Sequence, residues 1–349
     1  MLEHGGRLRR AARDYGIPEA DWLDLSTGIN PDMYPVPPID PLAWQRLPED
    51  DDGLEESAAA YYGNDRLLAL PGSQAAIQTL PRLFPPMTVA CVSPLYEEHP
   101  HAWERAGHRL RRLPSLSRAL AAATPAVLLC NPNNPTAGCV SRDDLLEAAG
   151  ELRRRGGHLI VDEAFGDPVP ENTVAALAGH DAAPNLIVLR SLGKFFGLAG
   201  ARVGFVFAAA DRLDRLRETI GPWSVARPSR SVARRALEDA PWQAAARRKL
   251  GNASQRLAQM LAPLGAVRRT ALFCVVGGGD APLPLPVGAL AEHFAQRAIL
   301  VRRFDAHGLL RFGLPGDEAA WRRLADAVLA WRGSPEPRPA GGDRLRPRT

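Results

Sequence analysis

The chain has 349 residues and a formal net charge of +4, of which the stretch Arg332 to Thr349 carries +3. The near-neutral remainder argues against nucleic-acid binding, and no apolar run reaches the ~18 residues of a membrane span. Cys91, Cys130, Cys139 and Cys274 show no C-x-x-C spacing; they read as free thiols of a reducing, cytoplasmic protein in which no metal is expected.

Residues 1–40 contain His4-Gly5-Gly6 and a Pro-rich run from Pro31 to Pro41, and read as an arm rather than a domain. "LPGSQAAIQTLPRLF" then places Gly72, Ser73 and Gln74 at the start of a helix. Backbone N–H groups and the positive helix end would favour an anion there, with the Ser hydroxyl as a further donor. The run "VACV" at 89–92 is the first of several short, near-continuous apolar segments, and Tyr96 lies just beyond it. "AVLLC" at 126–130 leads into "NPNNPTAG", where Pro132 and Pro135 fix a loop carrying Asn134. A helix follows, with Ser141 as its N-cap, Asp144 three residues on, and Leu145, Leu146, Ala149 and Leu152 on one face.

"HLIVDEA" at 158–164 ends in Asp162, "NLIVLRS" at 185–191 leads to Lys194, and "RVGFVFA" spans 202–208. Strands of this kind, buried on both faces and alternating with helices, predict an α/β fold: a mostly parallel sheet sandwiched by helices in a large domain at 41–240. After about residue 240 the pattern changes. A helix near 241–262, a strand in "ALFCVVGG", a helix at 287–297, strands "ILVRRF" and "LLRFGL", and a last helix "DEAAWRRLADAVLAW" predict a smaller α+β domain at 241–332, with a disordered tail at 333–349.

Lys194 is one of two lysines in a chain whose cationic residues are otherwise arginines. A lysine serves as a covalent catalyst when unprotonated, and desolvation with nearby positive charge achieves that. Phe195 and Phe196 would desolvate it; Arg190 and Arg202 would repel its proton. A Schiff-base lysine needs an aldehyde, most commonly pyridoxal phosphate (PLP), and PLP makes separable demands. Gly72, Ser73 and Gln74 could cradle its phosphate, with Ser191 and Arg202 flanking the lysine. Asp162 could face the pyridine nitrogen, or pair with a nearby Arg. Asn134 could donate to the ring oxygen, and Tyr96 could stack on the ring. Each feature alone also occurs in ordinary turns, caps and cores; together they point to one site. Glu163 should face away from Asp162.

"SLGKFFGLAGARVGF", "NPNNPT" and "VDEAF", in this order, resemble the fold type I PLP enzymes of the aminotransferase class I and II superfamily. The resemblance implies Lys194 and Asp162 as catalytic residues, and a cofactor held by Gly72, Ser73, Gln74, Tyr96, Asn134, Asp162, Ser191, Lys194 and Arg202. It also implies a homodimer in which Tyr61 reaches the neighbouring subunit's phosphate. "HGGRL" followed by "WLDLSTGINPDMYP" is similar to the threonine-phosphate decarboxylases of cobalamin biosynthesis. That likeness implies a phosphorylated amino-acid substrate touched by His4, Gly5, Gly6, Gly28, Asn30, Asn134 and Arg311. The implied reaction converts L-threonine O-3-phosphate to (R)-1-amino-2-propanol O-2-phosphate. An aminotransferase acting on a substrate such as histidinol phosphate, and a non-catalytic PLP-fold regulator, are the competing readings. The chain departs from the pattern at Phe165, where many relatives carry Tyr, and at Gly28, where some decarboxylases carry Asn.

Overall fold

The computed structural model describes residues 4–278 and 287–332; the predicted tail at 333–349 lies outside the described residues. Strands are β1 (Leu23–Asp24), β2 (Leu67–Leu70), β3 (Thr88–Val92), β4 (Arg109–Leu113), β5 (Ala126–Cys130), β6 (His158–Asp162), β7 (Leu186–Ser191) and β8 (Gly204–Phe207). They continue with β9 (Val267–Arg269), β10 (Phe273–Gly277), β11 (Ile299–Leu300), β12 (Arg302–Phe304) and β13 (Leu309–Gly313). Seven form a central sheet in the order β2-β8-β7-β6-β5-β3-β4. It is parallel from β4 through β7, and β8 runs antiparallel to both neighbours.

The two-residue period of a strand explains the layers. Val127, Leu129, Leu159, Val161, Leu186 and Val188 join one core, with Leu145, Ala148, Ala149 and Leu152 of the helix Arg142–Arg154. Leu128, Ile160, Ile187 and Leu189 point the other way, into a core with Ile77, Leu80 and Trp103. Helices therefore cover both faces, as the apolar runs require. The helix Arg142–Arg154 starts as its sequence dictates: Ser141 Oγ accepts the Asp144 N–H at 3.1 Å and donates to Asp144 Oδ2 at 2.6 Å.

A second sheet, β12-β13-β10-β9, is antiparallel. It packs against the helix Ala240–Leu261, which contacts both β9 and β10. The arm is tied to this end of the molecule, because β1 pairs in parallel with β11 through Leu23–Ile299 and Asp24–Leu300. The arm also contains a helix, Leu8–Tyr15, which its Pro- and Gly-rich composition does not announce. None of the described helices is long and apolar enough to cross a membrane.

Candidate active site

The carboxyl ends of β3, β5, β6 and β7 open on one cavity of about 290 Å³, where open α/β sheets bind ligands. It is lined by His4, Gly5, Ser73, Gln74, Tyr96, Asn134, Asp162, Ser191, Lys194, Arg202 and Arg311, together with Ser26, Thr27, Ile29, Cys130 and Phe165. Eleven residues expected from the sequence thus meet in one place. Gly6, Gly28, Asn30, Tyr61 and Gly72 do not line it.

Lys194 sits three residues past the end of β7. The turn that presents it is held from the arm: the Asn30 N–H donates to Lys194 O at 3.0 Å, and Asn30 Nδ2 to Phe195 O at 2.9 Å. The buried Asn30 side chain therefore helps to shape the lysine turn. Burial, then Arg311 and Arg202, bring the amine down to about 8, with Asp162 opposing them. Arg190 has no part in this, contrary to the sequence expectation. It is buried on the far side, donating to Glu163 Oε2 at 2.8 Å and Asp167 Oδ1 at 2.5 Å. Glu163 also accepts from Thr173 and the Val174 N–H, so it faces away from Asp162 as predicted. Arg190→Met would strand two buried carboxylates; a loss of about 3–5 kcal/mol is expected in urea unfolding.

Asp162 is fixed at both oxygens. Oδ1 accepts the Ala164 N–H at 2.9 Å, and Oδ2 lies 2.7 Å from His99 Nε2. Its partner is thus a histidine rather than an arginine. His99 was not identified from sequence, although its spacing of three from Tyr96 at a helix start is a readable signal. Cys130 brings its sulfur within 4.8 Å of the same pair of donor atoms. Burial and Asp162 raise its thiol well above the ordinary range, so it remains neutral beside them. Tyr96 is likewise pushed up to about 12 by burial, Glu98 and Asp162, leaving a neutral ring at the cavity wall.

Arg202 adopts a left-handed backbone, φ 53°, uncommon outside glycine. That bend folds its guanidinium over the loop before the helix Ser73–Thr79, where Nη2 lies 2.5 Å from the place a Cβ on Gly72 would occupy. Gly72, itself at φ 79°, is therefore demanded by both conformation and space. Ser73, Ser191 and Arg202 border one corner rich in donors, which suits a phosphate. The Gln74 side chain is turned elsewhere, donating to Glu98 at 3.0 Å.

Arg311 lies in β13 at the opposite wall. Its Nη1 donates to Asn134 Oδ1 at 2.5 Å and its Nη2 to Ser26 O at 2.8 Å. Its buried Nε has no partner among the described residues. Burial and Arg302 lower it to about 10, still a cation at neutral pH. Because a guanidinium only donates, Asn134 must turn its oxygen to Arg311, leaving its NH₂ to donate into the cavity. Ser26 was also missed; Arg311 uses its carbonyl, which any residue could supply. Gly28 lies beneath the cavity, where an added Cβ would stand 2.8 Å from Phe165 Cε1 and 3.1 Å from Phe273 Cδ1. The Phe165 ring thus occupies space that a side chain at 28 would need.

A lysine amine, a fixed buried carboxylate, a donor corner and an orphaned guanidinium N–H form the donor set that PLP and an anionic substrate require. The comparisons agree with it. The model of the family "Aminotransferase class I and II" matches residues 47–328. A threonine-phosphate decarboxylase of Pseudomonas aeruginosa is 48% identical over 337 residues, 95% of this chain and 98% of that protein. A threonine-phosphate decarboxylase of Sinorhizobium sp. is 40% identical over 94% of this chain and 97% of its own length. The crystal structure of histidinol-phosphate aminotransferase from Sinorhizobium meliloti in complex with pyridoxal-5'-phosphate matches with a TM-score of 0.78 at 20% identity, over 95% of this chain and 96% of that one. With a lysine and a carboxylate at adjacent strand ends and a family match running through both, the chain belongs to the aminotransferase class I and II family.

Proposed function

We propose that this protein is a PLP-dependent threonine-phosphate decarboxylase. It would convert L-threonine O-3-phosphate to (R)-1-amino-2-propanol O-2-phosphate and CO₂, as a step of cobalamin biosynthesis. The observation that carries the reading is the meeting of Lys194, Asp162 and Arg311 around one cavity, joined to 48% identity with a decarboxylase along nearly the whole chain. The four cysteines are free thiols, which supports a cytoplasmic setting.

When bound, PLP would supply an aldehyde for an amine and a sink for the electron pair of a breaking Cα bond. Ser73, Ser191, Arg202 and the backbone at Gly72 would hold its phosphate, and Tyr96 its ring face. The Asn134 amide would donate to its ring oxygen and Asp162 would face its nitrogen. His99 holds the Asp162 carboxylate in one orientation, so that side chain pays little reorganisation when it acts. Arg311 is the group that can grip the substrate carboxylate and decide which Cα bond is presented for cleavage. The Cα–carboxylate bond breaks, CO₂ leaves, and Lys194 Nζ returns a proton to Cα, so one proton is taken up per CO₂. The arm residues His4, Gly5 and Gly6 would meet the substrate phosphate.

Because the free amine is the nucleophile, PLP capture by the apoenzyme should accelerate as pH rises, with a midpoint near the lowered Lys194 value of about 8. Arg311→Leu removes a charge that lowers this value, so the midpoint should move upward; stopped-flow absorbance at varied pH checks it. Tyr61 donates nothing to its own chain's cavity. Its phenol is held by Arg247 Nη2 at 2.9 Å. Met33, Val36, Leu42, Trp44, Leu47 and Trp223 are exposed apolar side chains. Both features support a homodimer in which Tyr61 serves the second copy, a prediction for light scattering. Incubation with L-threonine O-3-phosphate tests the function: CO₂ and the amino alcohol phosphate should form without an acceptor. Amino transfer dependent on a 2-oxo acid, without CO₂, would identify an aminotransferase instead.

A further inference from the structure

A substrate phosphate at the arm needs a donor, and His4 is the arm residue with a polar ring there. It is not arranged alone. His4 Nε2 lies 2.8 Å from Glu98 Oε1. Glu98 opens the helix Glu98–Arg105, two residues past Tyr96, and its other oxygen accepts from Gln74 Nε2 at 3.0 Å and Gln78 Nε2 at 3.1 Å. Donors from the arm and from the helix Ser73–Thr79 thus converge on one carboxylate, which is largely shielded while the histidine is half-open.

Behind His4 the arm is pinned a second time. The Gly6 N–H donates to Ser26 Oγ at 2.7 Å, and Gly5 lies so close to the Ser26 carbonyl that a Cβ there would collide with it. That carbonyl is the acceptor for Arg311 Nη2. His4 and Gly5 are therefore suspended across the cavity mouth, fastened to the Arg311 wall through Ser26 and to the opposite wall through Glu98.

Among the described residues, His4 Nδ1 has no hydrogen-bond partner. A neutral imidazole donates from one nitrogen only; an imidazolium between two anions donates from both. A carboxylate at the mouth of a site for an anionic substrate is a liability unless its charge is taken up. Here three donors take it up.

We propose that Glu98 is a specificity-determining positioning residue: it fixes His4 across the mouth so that Nδ1 meets the phosphate of the substrate. This rests on the decarboxylase reading and extends it to a residue that never touches substrate. Glu98→Gln keeps the shape and removes the charge. For the holoenzyme acting on L-threonine O-3-phosphate, Glu98→Gln and His4→Ala should each raise KM about tenfold while kcat changes less than about twofold, because the contact is made equally in ground and transition states. The double variant should be no worse than His4→Ala, since one residue acts through the other. Unchanged KM in Glu98→Gln, or effects that multiply in the double variant, would overturn the proposal. A second readout does not depend on the substrate. Trypsin should cut after Arg7, Arg9 or Arg10 about tenfold faster in both single variants than in the wild type, because the arm has lost a fastening; equal rates would overturn it. If the wild type fails to turn over the phosphorylated amino acid, the decarboxylase reading fails by itself, and the cleavage rates still decide whether Glu98 holds the arm.

Discussion

Replacing Lys194 by Ala is expected to lower turnover by about 10⁴-fold or more, because the variant would lose the amine proposed both to bond the cofactor and to return the proton to Cα. The cofactor should still bind through Ser73, Ser191 and Arg202, and its absorbance should shift to that of the unlinked aldehyde. The stability prediction has the opposite sign. The folded amine sits near 8, below its ordinary value of 10.5, so the folded state binds its proton less readily than the unfolded chain does. Stability of the apoenzyme therefore rises with pH between about 8 and the unfolded value, and the wild type carries a penalty below that window. Lys194→Ala removes the penalty, so at neutral pH the apo variant should melt no lower than the wild type. Activity lost with a retained melting temperature separates a chemical role from a structural one. Retention of activity within tenfold would remove Lys194 from the mechanism.

Asp162→Asn should lower kcat by about 10³-fold while KM moves by only a few-fold. The amide fits the same space, and the phosphate corner and Arg311 are untouched by the change. What would be lost is the negative charge proposed to face the ring nitrogen, on a carboxylate that His99 and the Ala164 N–H hold in one orientation. Steady-state kinetics on the fully loaded variant measure this. A variant of wild-type kcat would mean that the electron pair of the breaking bond is stabilised without the carboxylate at 162.

The parts of the site that were legible in the sequence are those where chemistry dictates a side-chain type at the end of an apolar run. Lys194, Asp162, Asn134 and Tyr96 each follow such a run, and the four parallel strands before them bring them to one edge. What the sequence concealed follows from geometry rather than residue type. Arg190 looks like a neighbour of Lys194 by number, yet strand alternation turns it to the opposite face, onto Glu163 and Asp167. Ser26 contributes a carbonyl, and Asn30 an amide that shapes a turn; neither contribution has a compositional signature. The edge strand β4, "RLRRL", hides because arginines blunt an exposed edge, and β1 and β11 are two-residue strands that pair across the chain. Gly28 and Phe165 are far apart in the sequence, yet a Cβ at 28 would meet the Phe165 ring, a proximity that only the packing reveals.

The central claim is that this cavity breaks the Cα–carboxylate bond rather than the Cα–hydrogen bond. Turnover of L-threonine O-3-phosphate deuterated at Cα in ordinary water, followed by mass analysis, tests it directly. Decarboxylation leaves the Cα–deuterium bond intact, so the amino alcohol phosphate should carry one deuterium and one hydrogen from solvent at that carbon. A 2-oxo product, or deuterium washed out into solvent without CO₂ release, would contradict the account.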